Sequence, residues 1–346
     1  MRTPVTIAVV CGANGLGDGL ARVFDALPQG VLRWICDDAR RTTSIGYGPA
    51  TAWTSDFDEL LHDEDLDAIV FASSELAGRG RGLAALASEK HVLVDGPLAS
   101  SALESDELVA AAARGKRTLM ATAPKLLRPE VLRLHRLIDR GSLGEIFYVH
   151  AKRYVLRPES DGDLLRTVGL DLVSLVLDVL GDEPVEVTAH GESYLGRQSA
   201  DLVFAKLSFA TGIGAYLHVS CLEGENVDRI SVVGSKATAV VDATDPESLL
   251  SVCANGSTPA AFGELPVEQG DRLVYRLADE DPLRLACSRF LTAIRSADDL
   301  RVGREAAAAL AVVEALELSC ANHGAPESIA GAPAVAGRNV VALRRR

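Results

Sequence analysis

Short β-branched runs alternate with helical stretches through the first third of the chain, and this alternation restricts the fold more than any other feature. The runs are VTIAVV (5–10), VLRWIC (31–36), DAIVFAS (67–73) and HVLVDG (91–96), with helical segments near 18–27 and 56–62 and another ending at Glu89. Successive parallel strands need a crossover between them, so strand and helix in strict alternation predict βαβ units and a parallel sheet. Ile7 to Val10 and Ala68 to Phe71 contain no polar residue, as strands covered on both faces require. The expected first domain is an α/β doubly wound sheet over residues 1–122.

Beyond Ala121 the pattern changes. A helix over Pro129 to Arg140, closed by Gly141, precedes alternating segments at Ile146 to Val155, Leu202 to Phe209, Ala215 to Cys221 and Ile230 to Asp242, with a turn at Gly212 and Gly214. Hairpin-like strands in succession predict a predominantly antiparallel open sheet in an α+β domain over 123–330. Helices at Leu164 to Leu180 and Pro282 to Asn322 are expected to cover one face of that sheet. The other face is then a natural surface for a homodimer or homotetramer. Residues 331–346, which end in three arginines, are expected to be a frayed tail.

A chain of 346 residues suits two cores better than one. Its net charge of −13 opposes general affinity for nucleic acid or an anionic membrane. Six cysteines are scattered without a CxxC pair or a His/Cys cluster at ligand spacing, so no metal site is expected and the thiols read as small reduced apolar residues. The first strand begins directly after the amino terminus, leaving no room for a signal peptide, and no apolar run reaches the roughly 18 residues of a membrane span. Cytoplasmic residence is the expectation.

Gly12, Ala13, Asn14, Gly15, Leu16 and Gly17 follow the first strand and open a helix, the context that a dinucleotide-binding loop requires. Gly12 permits the tight turn, Gly17 permits close packing of helix on strand, and a pyrophosphate is expected between them at the helix amino terminus. Asn14 stands where the middle glycine of GxGxxG belongs. Asparagine tolerates positive φ, so the turn survives while the space for phosphates narrows. Asp37 ends the second strand about 20 residues later, where a carboxylate accepts hydrogen bonds from an adenosine ribose. That favours NAD, while Arg40 and Arg41 are suited to hold the 2′-phosphate of NADP. Ser73, closing the DAIVFAS strand, and Asp95 complete the expected cofactor-binding set.

The segment His91 to Ala99, HVLVDGPLA, resembles the "KHVLxEKPLA" signature of the Gfo/Idh/MocA family of NAD(P)-dependent oxidoreductases. SDFDELLHDEDLDAIVFAS, LIDRGSLGEIFYVHAKR, DRISVVGSKATAVVDA and the closing helices after Pro282 are similar to further family segments in the same order, over roughly Val5 to Pro326. The resemblance implies the two-domain fold, a nicotinamide cofactor, and a lysine and a histidine that move the proton at the reacting carbon. Here Gly96 stands at the lysine and Asp171 at the histidine. Ser74 and Gly78 replace the proline and histidine of "ATPNxxHxE", Thr167 replaces the aspartate of "GGALLDLGxHxxD", and Lys125 lies one residue before the arginine of "RFxP".

Asp171 is the first candidate for the general acid or base, since a carboxylate in a partly dry site can carry a raised pKa. Lys125, one of six lysines, is expected after the sixth strand, where it could donate a proton or polarise a carbonyl or imine. Asp95 would lie at the carboxyl end of a parallel strand, where such sheets place ligands, and is a third catalytic candidate. Arg153 and Tyr154, with Arg157, leave the first strand of the second domain and could bind substrate, as could Arg166 and Thr167. Structural roles are expected for the histidines. Three functions remain open: an NAD(P)-dependent oxidoreductase acting on a keto-sugar, a cyclitol or a C=N bond; a catalytically silent homologue serving as regulator or accessory subunit; and a non-redox lyase or cyclase reusing the expected cleft.

Overall fold

The computed structural model describes residues 4–12, 15–37, 48, 51–78, 80–156, 163–196, 199–247, 249–254, 271–277, 280–296 and 301–329. Two compact units form, one within Met1–Leu127 and Glu280–Leu310, the other within Arg128–Asp279 and Ala311–Arg346. The expected tail at 331–346, and Asn14, Arg40, Arg41 and Arg157, lie outside the described residues.

In the first unit, β1 (Val5–Cys11), β2 (Gly30–Asp37), β3 (Ala52–Thr54), β4 (Ala68–Phe71), β5 (His91–Val94) and β6 (Leu119–Ala121) form a sheet in the order β3-β2-β1-β4-β5-β6. Every pairing is parallel. Between the strands run α1 (Asp18–Asp25), α2 (Phe57–His62), α3 (Ser74–Ala77), α4 (Arg81–Ala87) and α5 (Ala102–Gly115). Alternate residues of β1 serve different layers: Ile7 and Val9 pack with Leu20 and Phe24 of α1, whereas Ala8 and Val10 pack with Leu60, Leu86 and Leu108 on the other side. This is the doubly wound arrangement that the apolar strands predict.

The second unit carries α6 (Pro129–Asp139), β7 (Ile146–Tyr154), α7 (Leu170–Leu180), β8 (Pro184–Glu192), β9 (Leu202–Phe209), β10 (Gly214–Ser220), β11 (Val227–Gly234), β12 (Ala237–Asp242), β13 (Leu250–Ala254) and β14 (Arg272–Val274). Its nine-stranded sheet runs β14-β13-β12-β11-β7-β10-β9-β8 and ends on β15 (Glu327–Ser328). All neighbours are antiparallel except β7 and β10. The single alternating run expected over Ile230 to Asp242 is a hairpin of β11 and β12 around Ser235 and Lys236. Gly212, at φ 85°, turns β9 into β10 as expected. On β7, Val149 and Ala151 are buried against the helical layer that includes α7, whereas Tyr148 and His150 are exposed on the opposite face.

The helices α8 (Pro282–Ser296) and α9 (Arg301–Ala321) close the chain. The expectation placed both on the second sheet, and α8 does not lie there. Its Cys287, Phe290 and Leu291 are fully buried in the first unit with Val5, Ile7, Phe24 and Leu32. The reason is packing: α1 is only 8 residues long, and α8 shares with it the core on that side of the sheet. From Ala311 onward α9 serves the second unit, where the Ser319 hydroxyl accepts the Ala189 amide and donates to the Ala325 carbonyl. No described helix is long and apolar enough to cross a membrane. Truncation of Phe290 to Ala is expected to destabilise the first unit by about 3–5 kcal/mol, read as a lower midpoint in urea denaturation followed by circular dichroism.

Candidate functional site

In the first unit the glycine loop begins where β1 ends. The Gly12 amide donates to the Leu16 carbonyl at 2.9 Å, closing a tight turn. Gly15 and Gly17 have φ of 81° and 104°, backbone that only glycine adopts without strain. A Cβ at Gly17 would also lie 2.8 Å from Cys11 Sγ and 3.0 Å from the Ala72 Cβ, so Gly17 is needed for the close approach of α1 to β1 and β4. Gly17 caps α1 with no side-chain hydrogen bond, and the first-turn amides there are the groups that attract an anion. Strand register sets Asp37 beside Cys11, next to the loop, with the residue 6% exposed. Turn, uncapped helix start and neighbouring carboxylate fit the pyrophosphate and ribose of a dinucleotide.

The Ser73 hydroxyl accepts the Leu76 amide at 3.3 Å and caps α3, leaving its own hydrogen for another acceptor. Asp95 extends β5, its Oδ1 receiving the Thr122 hydroxyl at 2.6 Å. The same hydroxyl oxygen accepts the Gly96 amide at 3.3 Å. Asp95 therefore acts as a clasp between the ends of β5 and β6. Burial and the nearby Asp95 charge push the Cys287 thiol up to about 12, so that cysteine is not a nucleophile.

Gly96 has φ 86°, and nothing lies within 4 Å of the point where a Cβ would stand. There is room for a side chain but not the backbone angle that would carry one comfortably. Past β6, Ala123 is also left-handed at φ 35°, although the following proline disfavours helical angles there. This turn leads into the 3-10 segment Pro124–Leu127, which holds a partly buried Lys125 just beyond β6, the neighbour of the strand that leads to Gly96.

In the second unit, Arg153 and Tyr154, adjacent in sequence, leave β7 on opposite faces. Arg153 points to the helical layer, where its Nη1 donates to Asp171 Oδ2 at 2.9 Å. Burial raises the Asp171 pKa as the largest effect, Arg153 opposes it, Asp228 raises it further and Arg128 lowers it. Asp171 follows a π-helical turn, Leu165–Gly169, an irregularity common at functional positions. Its side chain remains 41% accessible.

Tyr154 lies on the open face and its hydroxyl meets His218 Nδ1 at 2.9 Å. The His218 ring is edge-on to Tyr154 and stacked on Phe204, and Glu223 lies 3.7 Å from its Nε2. Burial, then Glu223 and Glu225, raise the Tyr154 pKa, so it is a neutral phenol beside a histidine. The strand geometry therefore separates two residues expected to act together. Arg166 is also engaged elsewhere: its fork donates to both Glu317 oxygens at 2.7 Å, with Glu314 at 3.6 Å. A guanidinium so occupied ties the π turn to α9. The Thr167 hydroxyl donates to the Asp163 carbonyl at 2.9 Å on an exposed surface.

Asp228 and Arg128 were not singled out from sequence. Arg128 Nη1 donates to Asp228 Oδ2 at 3.2 Å, and Asp228 stands directly opposite Arg153 across β7 and β11. The alternation of β11 was visible, but only its register against β7 reveals this pairing. Among the described residues no group of three or more His, Cys, Asp or Glu could hold a metal ion.

Two family models match the chain: residues 7–123 fit the oxidoreductase family with an NAD-binding Rossmann fold, and 131–240 fit the Gfo/Idh/MocA C-terminal domain. The protein belongs to the Gfo/Idh/MocA family of NAD-binding oxidoreductases. It is 27% identical over 264 residues to the uncharacterized oxidoreductase YrbE of Bacillus subtilis, covering 71% of this chain and 76% of the relative. It is 28% identical over 158 residues to inositol 2-dehydrogenase 2 of Saccharopolyspora erythraea, covering 44% of this chain and about half (47%) of that enzyme. In fold it resembles an oxidoreductase domain protein from Kribbella flavida, with TM-score 0.80, 20% identity and coverage of 95% and 100% of the two chains.

Placing lysine at position 96 is expected to destabilise the protein by about 1–2 kcal/mol, the strain of a left-handed non-glycine residue. Thermal denaturation of Gly96→Lys against Gly96→Ala checks this, because the strain belongs to the backbone and both variants should lose stability alike.

Proposed function

We propose that this protein transfers hydride between NAD or NADP and a small polyhydroxy substrate, a keto-sugar or cyclitol, with Asp171 moving the proton. The observation that carries this reading is the Arg153 and Asp171 pair: an accessible carboxylate, braced by a guanidinium and with a raised pKa, at the position where the family resemblance expects histidine. When bound, the nicotinamide supplies the hydride acceptor or donor.

The residues of the chain supply the rest. Gly12, Gly15 and Gly17 leave room for a pyrophosphate at the uncapped start of α1, and Asp37 accepts from ribose hydroxyls. Asp171 takes the hydroxyl proton in oxidation, for which it must be ionised, or returns it in reduction, for which it must be protonated. A raised pKa favours the second role and puts the acid limb of oxidation above the ordinary carboxylate range. Lys125 is assigned as the cation that polarises the reacting carbonyl in place of the family lysine, with Asp95 holding the adjoining strand ends. A C=N substrate asks less of the acid, since an imine can arrive already protonated.

Titration with NADH and NADPH, followed by nicotinamide fluorescence, tests the cofactor half, with micromolar binding expected. Asp171→Asn is expected to lower kcat with myo-inositol or a ketose by about 10²–10⁴-fold while NADH affinity stays unchanged. Absence of binding at millimolar cofactor would overturn the redox reading and leave a silent homologue or a non-redox enzyme.

We infer a cytoplasmic protein that associates with itself through the open face of the second sheet, where the aromatic residues Phe204 and Tyr216 are 51% and 45% exposed. Phe204→Glu is expected to lower the mass measured by light scattering. An unchanged mass would put the contact elsewhere.

A further inference from the structure

Four charges alternate in sign across the helix-covered side of the second unit. Arg128 stands just before α6, makes no capping bond to it, and donates to Asp228 at 3.2 Å. Asp228 is the direct cross-strand partner of Arg153, which brings their Cβ atoms to about 5 Å on the same face. Arg153 donates to Asp171 at 2.9 Å. Side-chain exposure along the series is 27%, 20%, 20% and 41%, so the row is half-buried along its length and opens to solvent most at Asp171. That gradient matters because partly buried charges feel one another with far less screening than surface charges do.

We propose that Asp228, held by Arg128, is a positioning residue for Asp171 and acts on it through Arg153. The inference rests on the reading of Asp171 as the group that moves the proton, and extends it to two residues that touch neither substrate nor cofactor. Arg153 donates to Asp171 and stands cross-strand from Asp228, so its guanidinium lies in the field of both carboxylates without an ion pair to the second. Removing Asp228 leaves Arg153 under the pull of Asp171 alone and takes away a like charge, both favouring the ionised form. Removing Arg128 does the opposite, because it takes away a cation and leaves the Asp228 charge less screened.

Among the described residues, three further charged groups on the elements nearest Asp171 have partners of their own. On the π turn that precedes it, Arg166 is engaged by Glu317 and Glu314. Further along α7, Asp178 is paired with His135 of α6 at 2.5 Å. On β7, Lys152 belongs to the opposite face, over the Tyr154 ring. Among the described residues, Arg153, Asp228 and Arg128 are charges that act on Asp171.

The test is a carbon-13 NMR titration of the aspartate carboxyls in the full-length protein without added ligand, with the Asp171 signal assigned by its absence in Asp171→Asn. Asp228→Asn should lower the Asp171 midpoint and Arg128→Gln should raise it, each by about 0.5–1 pH unit, while Arg128→Lys should keep it near the original value. Opposite shifts from the two halves of one ion pair are not what local unfolding produces. Shifts of the same sign, or none, in variants whose circular dichroism matches the parent would overturn the proposal. The acid limb of kcat/KM measured with myo-inositol and NAD separates the two readings. If it follows the NMR midpoints, both stand. If the NMR midpoints move and the limb does not, the charge row stands and the assignment of the proton to Asp171 falls.

Discussion

The period of two along a β-strand is the constraint on which the second unit depends. Because Val149 and Ala151 must be buried against the helical layer, the next residue on that side, Arg153, is delivered to α7 and meets Asp171. The intervening residues, His150, Lys152 and Tyr154, are delivered to the open face by the same rule. A shift of one residue in β7 would exchange the two sets, putting Tyr154 under α7 and sending Arg153 to solvent. The parallel pairing of β7 with β10 and its antiparallel pairing with β11 fix that register from both sides.

In the first unit the comparable role falls to the ends of parallel strands. β1, β2, β4, β5 and β6 all point their carboxyl ends the same way, so Gly12, Asp37, Ser73, Asp95 and Thr122 share one edge of the sheet. Thr122 then does more than fill space: one hydroxyl donates to Asp95 and accepts from Gly96. Gly96 itself holds a left-handed backbone angle, φ 86°, that suits glycine and not the lysine that the resemblance expects there.

Much of this was legible in the sequence because it is written locally. The glycine loop, the apolar strands and the turn at Gly212 each announce themselves within a dozen residues, and the family resemblance arranges them. What was hidden depends on pairing between distant segments. Arg166 looked available for substrate because nothing nearby in sequence could occupy it, and its partners sit about 150 residues later on α9. Arg153 and Tyr154 looked like one site because they are neighbours, whereas strand geometry makes neighbours face apart. Asp228 is invisible without the register of β11, and the sequence of α8 does not say which apolar surface it covers, because amphipathicity marks a face and not its partner.

The place of α8 gives the first unit a property unlike that of a contiguous Rossmann domain. Its sheet is complete once residue 121 has been made, yet Phe290 and Leu291 are synthesised only after the whole run from β7 to β14. During translation one apolar side of the parallel sheet must wait, incompletely covered, for a helix roughly 170 residues downstream. Contacts so distant in sequence close slowly and leave a partly folded species open to association in the meantime. The second unit thus folds inside an interruption of the first, and the core that is begun first must wait for its last helix until most of the other has been made.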